Sequence, residues 1–520
     1  MVTSQTATLL SINPATKEVL GEVPILGPAQ VEEAVKESWS AFQTWQLTDF
    51  HKRAKRIRAL RKIIEARADE LAQLICKEVG KPLVESYLAE LTGPLDTCVW
   101  LCDNAERTLK DQLIHLTNPL LSSKQSIITF EPLGVVGIIA PWNYPFAIPM
   151  MTMLMAVMTG NTVVLKPSEK SPLIGIKIGE LFEQAGFPKG VVSVVTGDRT
   201  TGAALSNCRL AKLVFTGSVE GGSKVMAQAA PNLTPLTLEL GGKDPAIVLP
   251  DAPLEWTARG ITWGAFTNAG QACASIERLY ILKGKNNQKL IDKIVEYTKS
   301  LKLGNPADPT VDVGPLIDEI QLEKVIDHVE QAREMGATVI AGGNRRDDLG
   351  GFFFEPTVLV NVNHNMDIMR RESFGPVLPI MIVETEDEAV ELANDSEFGL
   401  TGSVWTKNLP RAEAIGRDLN VGTVLINDCL FSHASPQLPW GGLKKSGFGR
   451  SHSTFGLIDL VNIKHINLDA AGGPHRMWWF PYGQPRVKTV RGGLKFLHGS
   501  FFGRIPGFFS FIFNMFRKAK

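Results

Sequence analysis

Cys273 lies in Gly270-Gln271-Ala272-Cys273, Glu239 in Leu238-Glu239-Leu240-Gly241-Gly242-Lys243, and Asn143 in Pro141-Trp142-Asn143-Tyr144-Pro145. Each is a residue type with a defined chemical use. An ionised thiol is a nucleophile, a carboxylate is a general base, and a side-chain amide donates a hydrogen bond to an oxyanion. A lone cysteine is more often a small buried apolar residue, so its sequence context has to carry the argument. Cys208 and Cys429 have no comparable context and read as structural. Cys98 and Cys102 share a helix face, but no histidine or second cysteine pair follows at ligand spacing, so they read as buried thiols and no metal site is expected.

The elements that must hold these residues follow from the hydrophobic pattern. Gln30 to Gln46 and His51 to Gly80 repeat apolar residues at helical spacing, as does much of the chain from Pro28 to Asn118. The alternation then changes to short apolar runs followed by turns. Val135–Ala140 runs into Pro141, Thr162–Leu165 into Lys166-Pro167-Ser168-Glu169, Val191–Val195 into Thr196-Gly197, and Leu213–Phe215 into Thr216-Gly217-Ser218. Helices are expected between them, one from about Pro172 to Gly186. Strand, turn and helix in succession predict βαβ units in a doubly wound parallel sheet, where ligands bind beyond the carboxyl ends of strands. After Gly242 the pattern restarts at Pro245–Leu249, which predicts a second α/β domain to about Gly449. No Gly-x-Gly-x-x-Gly follows the first strand, which alone would argue against a nicotinamide enzyme.

The quoted segments, with Ser275-Ile276-Glu277-Arg278 and Glu372-Ser373-Phe374-Gly375-Pro376, resemble the aldehyde dehydrogenase superfamily in its hydrolytic, acid-forming branch. The resemblance runs from about Ser11 to about Leu468, and the family binds its dinucleotide through a variant fold. It implies an α/β architecture with a variant Rossmann dinucleotide domain (1–113 and 133–241) and an α/β catalytic domain (242–449). It also implies a small β oligomerisation extension (114–132 and 457–469), so a homodimer or homotetramer is expected. By the same resemblance Cys273 forms a thiohemiacetal with an aldehyde. Asn143 and the Cys273 backbone N–H hold its oxyanion, and Glu239 activates the water that hydrolyses the resulting thioester. Relatives that pass the acyl group to coenzyme A lack this carboxylate.

The implied cofactor is NAD, with NADP as the less favoured partner. Lys166 and Glu169 would meet the adenosine ribose, where the carboxylate accepts from a 2′-hydroxyl and repels a 2′-phosphate. Ser218, opening a helix, would meet the pyrophosphate. Glu372 and Phe374 would hold the nicotinamide ribose and pack near the ring, and Trp142, Ser168, Gly197, Phe215, Gly217, Gly222 and Leu240 complete the expected cofactor contacts. Tyr144, Met151 and Trp440 would line the substrate tunnel, with His433 in its wall. Those apolar and aromatic walls predict a medium- or long-chain aliphatic, or otherwise apolar, aldehyde. The rival substrate is a semialdehyde such as succinic semialdehyde, and the rival class is a non-catalytic scaffold, which the intact Cys273, Glu239 and Asn143 oppose.

Composition adds one departure. The chain of 520 residues has no net charge, yet 474–520 carries nine Lys/Arg and no Asp or Glu, with twelve of the forty aromatic residues. Ala470 to Gly473 reads as a linker, and Met477–Tyr482 as an aromatic cluster. A helix is expected to start near Pro506, with Ser510, Asn514 and Arg517 as a polar stripe and Lys518 and Lys520 at its end. Aromatic residues with basic flanks predict peripheral contact with a membrane surface on an otherwise cytoplasmic protein, against the alternative that 470–520 packs on protein. No signal peptide or membrane-spanning stretch is recognised, and no nucleic-acid partner is expected.

Overall fold

The computed structural model of the chain describes residues 7–118, 121–469, 476 and 478–515. The chain divides into two compact units, 1–110 with 130–464 and 111–129 with 465–520.

The fold class is α/β, as expected. In the first unit, one sheet has the strand order Gly447–Phe448, Leu236–Glu239, Lys212–Thr216, Val135–Ile139, Thr162–Lys166 and Val192–Val194. All neighbours are parallel except Gly447–Phe448, which runs antiparallel against Leu238 and Glu239. A second sheet has the order Thr338–Ala341, Thr357–Val360, Val377–Val383, Ile276–Leu282, Asp244–Val248, Thr401–Trp405 and Thr423–Ile426. Its one antiparallel pair is Thr338–Ala341 with Thr357–Val360. The central strands of both sheets are buried at every residue, which is why they read as unbroken apolar runs rather than alternating ones.

The helices differ from expectation in one instructive place. Pro28–Trp45 forms as predicted, with proline in its first turn. The single helix predicted from His51 to Gly80 is two, Phe50–Ala66 and Ala68–Val79. Arg67 leaves helical geometry at φ −107°, ψ 16°, and its guanidinium reaches Glu70 and Gln184. The apolar period runs through this break because both helices bury the same side. Helix Ala147–Met158 is buried at all its residues and carries the loop with Asn143 at its N-terminal end. A hairpin of Thr8–Ile12 and Val19–Pro24, not foreseen from the sequence, opens the unit.

In the second unit a three-stranded sheet, ordered Val461–Asp469, Lys124–Pro132 and Gln112–Ile114, is followed by helices Gln484–His498 and Phe501–Met515. The final helix starts five residues before the expected Pro506, which lies inside it. Ser510 does not form a polar outer stripe. It packs inward against Gly492, because a second helix, invisible to a reading of one segment alone, covers that side. Ala470–Gly473, Met477, Arg517, Lys518 and Lys520 lie outside the described residues, as does the side chain of Asn514.

Candidate active site

Cys273 follows a left-handed backbone run. Asn268, Ala269 and Gly270 have φ of 51°, 55° and 69°, a geometry that strains the two residues with a Cβ by about 1 kcal/mol or more each. At position 270 a Cβ would stand 2.1 Å from the Gly375 carbonyl oxygen, so only glycine fits. The strain is held by specific bonds. Glu85 accepts from the Thr267 hydroxyl (2.9 Å) and the Asn268 N–H (2.8 Å). Gln271 donates to the Asn268 carbonyl (3.1 Å) and accepts from the Ile317 N–H (2.9 Å). The turn delivers a half-buried Cys273 just before strand Ile276–Leu282.

Burial pushes the Cys273 thiol above its ordinary value, and the carboxyls of Asp244, Glu239 and Glu372 push it further. At neutral pH the resting thiol is therefore protonated and needs a base. Glu239 ends the strand Leu236–Glu239, where burial pushes its carboxyl up to about 7 against hydrogen bonds from Ser451 and Trp440. A carboxyl titrating near neutrality can both take and release a proton under working conditions.

The Asn143 side-chain amide donates to the Gln271 carbonyl at 3.1 Å, which places it beside the cysteine turn. Its backbone carbonyl accepts from Lys81 Nζ (2.8 Å) and the Asn268 amide (3.2 Å). Lys81 and Glu90 form an ion pair with both side chains wholly buried, and Lys81 Nζ stands 3.7 Å above the Tyr144 ring. The second Glu90 oxygen accepts from the Phe146 and Ala147 N–H groups at 3.1 and 2.8 Å. One buried pair thus fixes the whole loop from Asn143 to Ala147. Neither Lys81 nor Glu90 is foreseen from the sequence, since no spacing rule marks two charges 9 residues apart whose role is to hold a third segment.

The expected cofactor residues gather at the carboxyl edge of the six-stranded sheet. Lys166 Nζ pairs with Glu169 at 3.0 Å. Burial opposes ionisation of Glu169, but the Lys166 charge and hydrogen bonds hold its carboxyl below the usual range. Ser168 accepts from the Lys170 N–H at 3.2 Å, and Lys170 Nζ lies 5.5 Å from the Trp142 ring. Trp142 meets Phe374 edge to face at 5.5 Å. Ser218 caps helix Val219–Ala229 and accepts from the Gly221 N–H. A Cβ on Gly217 would stand 2.8 Å from the Phe215 ring, one on Gly222 2.7 Å from Leu240, and one on Gly197 1.9 Å from the Thr201 hydroxyl. Glu372 accepts from the Gly242 N–H at 3.0 Å, and burial pushes its carboxyl up to about 7. The neighbouring loop is held by Glu277, which binds Lys243 Nζ (2.6 Å) and the N–H groups of Ser373 and Phe374 (2.8 Å each). Lys243 and Glu277 stand inside motifs read from the sequence, but their positioning role is visible only here.

Of the expected tunnel residues, Met151 and Trp440 are wholly buried and Tyr144 half-buried. Trp440 packs with Ala274, Leu400, Leu430 and Cys273. The His433 ring lies 5.0 Å from Trp440 and 4.9 Å from His452. Burial lowers His433 to about 4 and His452 further, so both imidazoles are neutral at pH 7. Ser451, whose hydroxyl binds Glu239, is a further residue that sequence reasoning missed.

A thiol, a neutral-range carboxyl and an amide donor thus lie in neighbouring loops and at a strand end beside the carboxyl edge of the six-stranded sheet. Comparison with known proteins agrees with the sequence resemblance. Residues 1–466 match the aldehyde dehydrogenase family. The 4,4'-diapolycopene aldehyde oxidase of Methylomonas sp. is 36% identical over 492 residues, covering 95% of this chain and 92% of that protein. The crystal structure of betaine aldehyde dehydrogenase from Staphylococcus aureus in complex with NAD+ superposes with a TM-score of 0.86 at 35% identity, covering 91% of this chain and 94% of that one. An NADP-dependent enzyme of E. coli gives a TM-score of 0.85 at 34% identity, covering 89% and 95%. The chain belongs to the aldehyde dehydrogenase family, and it is an oxidoreductase that acts on aldehydes.

Proposed function

We propose that this enzyme oxidises a large apolar aldehyde to the carboxylic acid with NAD as the electron acceptor. The observation that carries the substrate reading is the apolar cluster of Ala274, Leu400, Leu430 and Trp440 that packs against Cys273. The cations that a dicarboxylic semialdehyde would need are already committed. Lys81 is bonded to Glu90 and the Asn143 carbonyl, and Arg450 donates to the carbonyls of Gly442 and Gly449. The match to a carotenoid-type aldehyde oxidase supports the reading further. It covers 95% of the chain, whereas residues 1–469 are only about nine-tenths of it, so the similarity enters the C-terminal segment.

In this mechanism Glu239 takes the Cys273 thiol proton, and the sulfur attacks the aldehyde carbon. The Asn143 amide and the Cys273 N–H donate to the oxygen that becomes negative. When bound, NAD supplies the two-electron acceptor for the step from thiohemiacetal to thioester. Glu239 releases the thiol proton to solvent and, ionised again, removes a proton from water, which attacks the thioester carbon. The carbon–sulfur bond breaks, the acid leaves and the thiolate is restored. The N–H groups behind Ser218, which caps helix Val219–Ala229, fit a pyrophosphate, and Gly217 and Gly222 let Phe215 and Leu240 pack closely beside them. Lys166 and Glu169 would hold the adenosine ribose, and Glu372 with Phe374 the nicotinamide side. Residues 1–113 with 133–241 would act as the dinucleotide domain and 242–449 as the catalytic domain. The segments 114–132 and 457–469, with strands Lys124–Pro132 and Val461–Asp469, would carry the contacts of a homodimer or homotetramer.

The decisive test is NADH formation on acetaldehyde, hexanal, hexadecanal, succinic semialdehyde and betaine aldehyde. The expected result is a kcat/KM that rises with chain length. A maximum at succinic semialdehyde or betaine aldehyde would overturn the apolar substrate. Cofactor choice gives a second prediction. The Glu169 carboxylate should disfavour a 2′-phosphate, so kcat/KM with NAD should exceed that with NADP by about tenfold. Glu169→Gln should narrow the ratio, and equal use of NADP by the native enzyme would refute the assignment.

A further inference from the structure

The two C-terminal helices pack in an inverted sense. Glycines mark their contact: Gly492 and Gly493 on Gln484–His498 face Ser510 and Phe511 on Phe501–Met515, and Gly507 faces Lys495 and Phe496. A Cβ on Gly492 would stand 2.7 Å from the Phe511 backbone nitrogen, and one on Gly507 2.6 Å from that of Phe496. The helices therefore touch backbone to backbone. Phe496 and Phe508 seal one side at 5.0 Å between rings. Phe511 packs on Gly493, and most of the other large apolar side chains point outward. Val487 and Leu494 of the first helix and Phe501, Phe502, Ile505, Phe509 and Ile512 of the second are exposed, with Phe501 at 75% and Phe502 at 85%.

A helix pair built for water does the opposite, burying its large apolar residues and showing small or charged ones. Small residues within and bulky apolar ones without is the arrangement of helices that associate in lipid, where no hydrophobic gain rewards hiding a phenylalanine. An apolar face of this size is normally covered. Each helix has 15 residues, about 22 Å in length, short of the roughly 30 Å of a bilayer core. No described helix is long and apolar enough to cross a membrane. The pair is long enough to enter one leaflet.

Charge selects the surface. Arg486, Lys488, Arg491, Lys495 and Arg504 are basic, and 474–520 has no acidic residue. Lys488, Arg491 and Lys495 follow at three- and four-residue steps, so they form one stripe on the first helix, flanking the line of Val487, Val490 and Leu494. A second copy of the same hairpin would bring these cations together, whereas anionic headgroups neutralise them. We infer that residues 484–515 form a helical hairpin that inserts its phenylalanine face into one leaflet of an anionic bilayer and anchors the enzyme without spanning it. The inference does not rest on the substrate reading, because binding is measured without aldehyde.

The test is flotation of the full-length enzyme with vesicles of equal phosphatidylcholine and phosphatidylglycerol. The native protein should float with the vesicles. The full-length variant Phe501→Ser/Phe502→Ser/Phe509→Ser should partition at least about a hundredfold less, since each buried aromatic contributes substantially. Its kcat on hexanal should be unchanged, which shows that the body is folded. Lys488→Gln/Arg491→Gln/Lys495→Gln should lose about a hundredfold on these vesicles and little on pure phosphatidylcholine. Native protein that stays with the unbound fraction overturns the inference. So does a phenylalanine variant that floats as well as native protein, or one whose only change is a smaller oligomer in solution, which would assign the face to a second copy.

Discussion

Glu239→Gln enzyme mixed with NAD and aldehyde should release about one equivalent of NADH per active site, more slowly than native enzyme because the Cys273 thiol has also lost its base, and then stop. The amide cannot take a proton from water, so the thioester on Cys273 accumulates and is detected as an added acyl mass on that residue. Steady-state turnover should fall by about 10²–10⁴, the usual contribution of a positioned base. The pH profile is the second half of the prediction. Burial places the Glu239 carboxyl at about 7, so below that pH the group is protonated and cannot act as a base. Native hydrolysis should therefore rise with pH through about 7, and the residual rate of the variant should not show this rise. Ordinary steady-state turnover by Glu239→Gln would remove the carboxylate from the hydrolytic step.

Glu90→Ala should be among the most damaging substitutions outside the reacting groups. It leaves the Lys81 ammonium wholly buried with its counter-charge gone and strips the acceptor from the Phe146 and Ala147 N–H groups. Breaking a buried pair in this way costs about 3–5 kcal/mol. Burial already pulls the Lys81 ammonium below its ordinary value, and Glu90 is the main group that opposes this, with a smaller contribution from Glu85. The apparent unfolding midpoint should fall by several degrees. In the fraction that folds, the Asn143 loop is released, so kcat/KM should drop by about 10²–10³, as for the loss of an oxyanion donor. The double variant Lys81→Met/Glu90→Leu should regain part of the stability, because replacing both charges removes the desolvation penalty while the Phe146 and Ala147 N–H groups stay without their acceptor. It should not regain full activity, because Lys81→Met also removes the donor to the Asn143 carbonyl. Thermal denaturation and kcat/KM of the two variants check both parts, and an unchanged midpoint in Glu90→Ala would show that the pair does not hold the loop.

Much of the fold was readable because both sheets are built from parallel strands buried on two faces. Such strands announce themselves as short apolar runs, as at Val135–Ile139 and Thr162–Lys166. The break at Arg67 was not readable, since the two helices on either side continue one apolar period and the interruption depends on contacts to Gln184, more than a hundred residues away. The C-terminal hairpin was half-readable. Its basic and aromatic composition stood out, but the direction of Ser510 depended on Gly492, which only a folded pair brings near.

The same division holds at the candidate site. The sequence by itself determined the chemical types and the family, because Cys273, Glu239 and Asn143 are embedded in motifs whose local residues decide turn and strand geometry. It also determined the charge of 474–520, which is a sum over residues and needs no coordinates. Tertiary structure alone decided which groups support the reacting ones. Glu85 against Thr267, Lys81 and Glu90 against Asn143 and Phe146, Glu277 against Phe374 and Ser451 against Glu239 are all pairs from distant segments. It also decided that Glu239 titrates near neutrality, since a carboxyl acquires that property from the apolar volume closed around it and not from its neighbours in the chain.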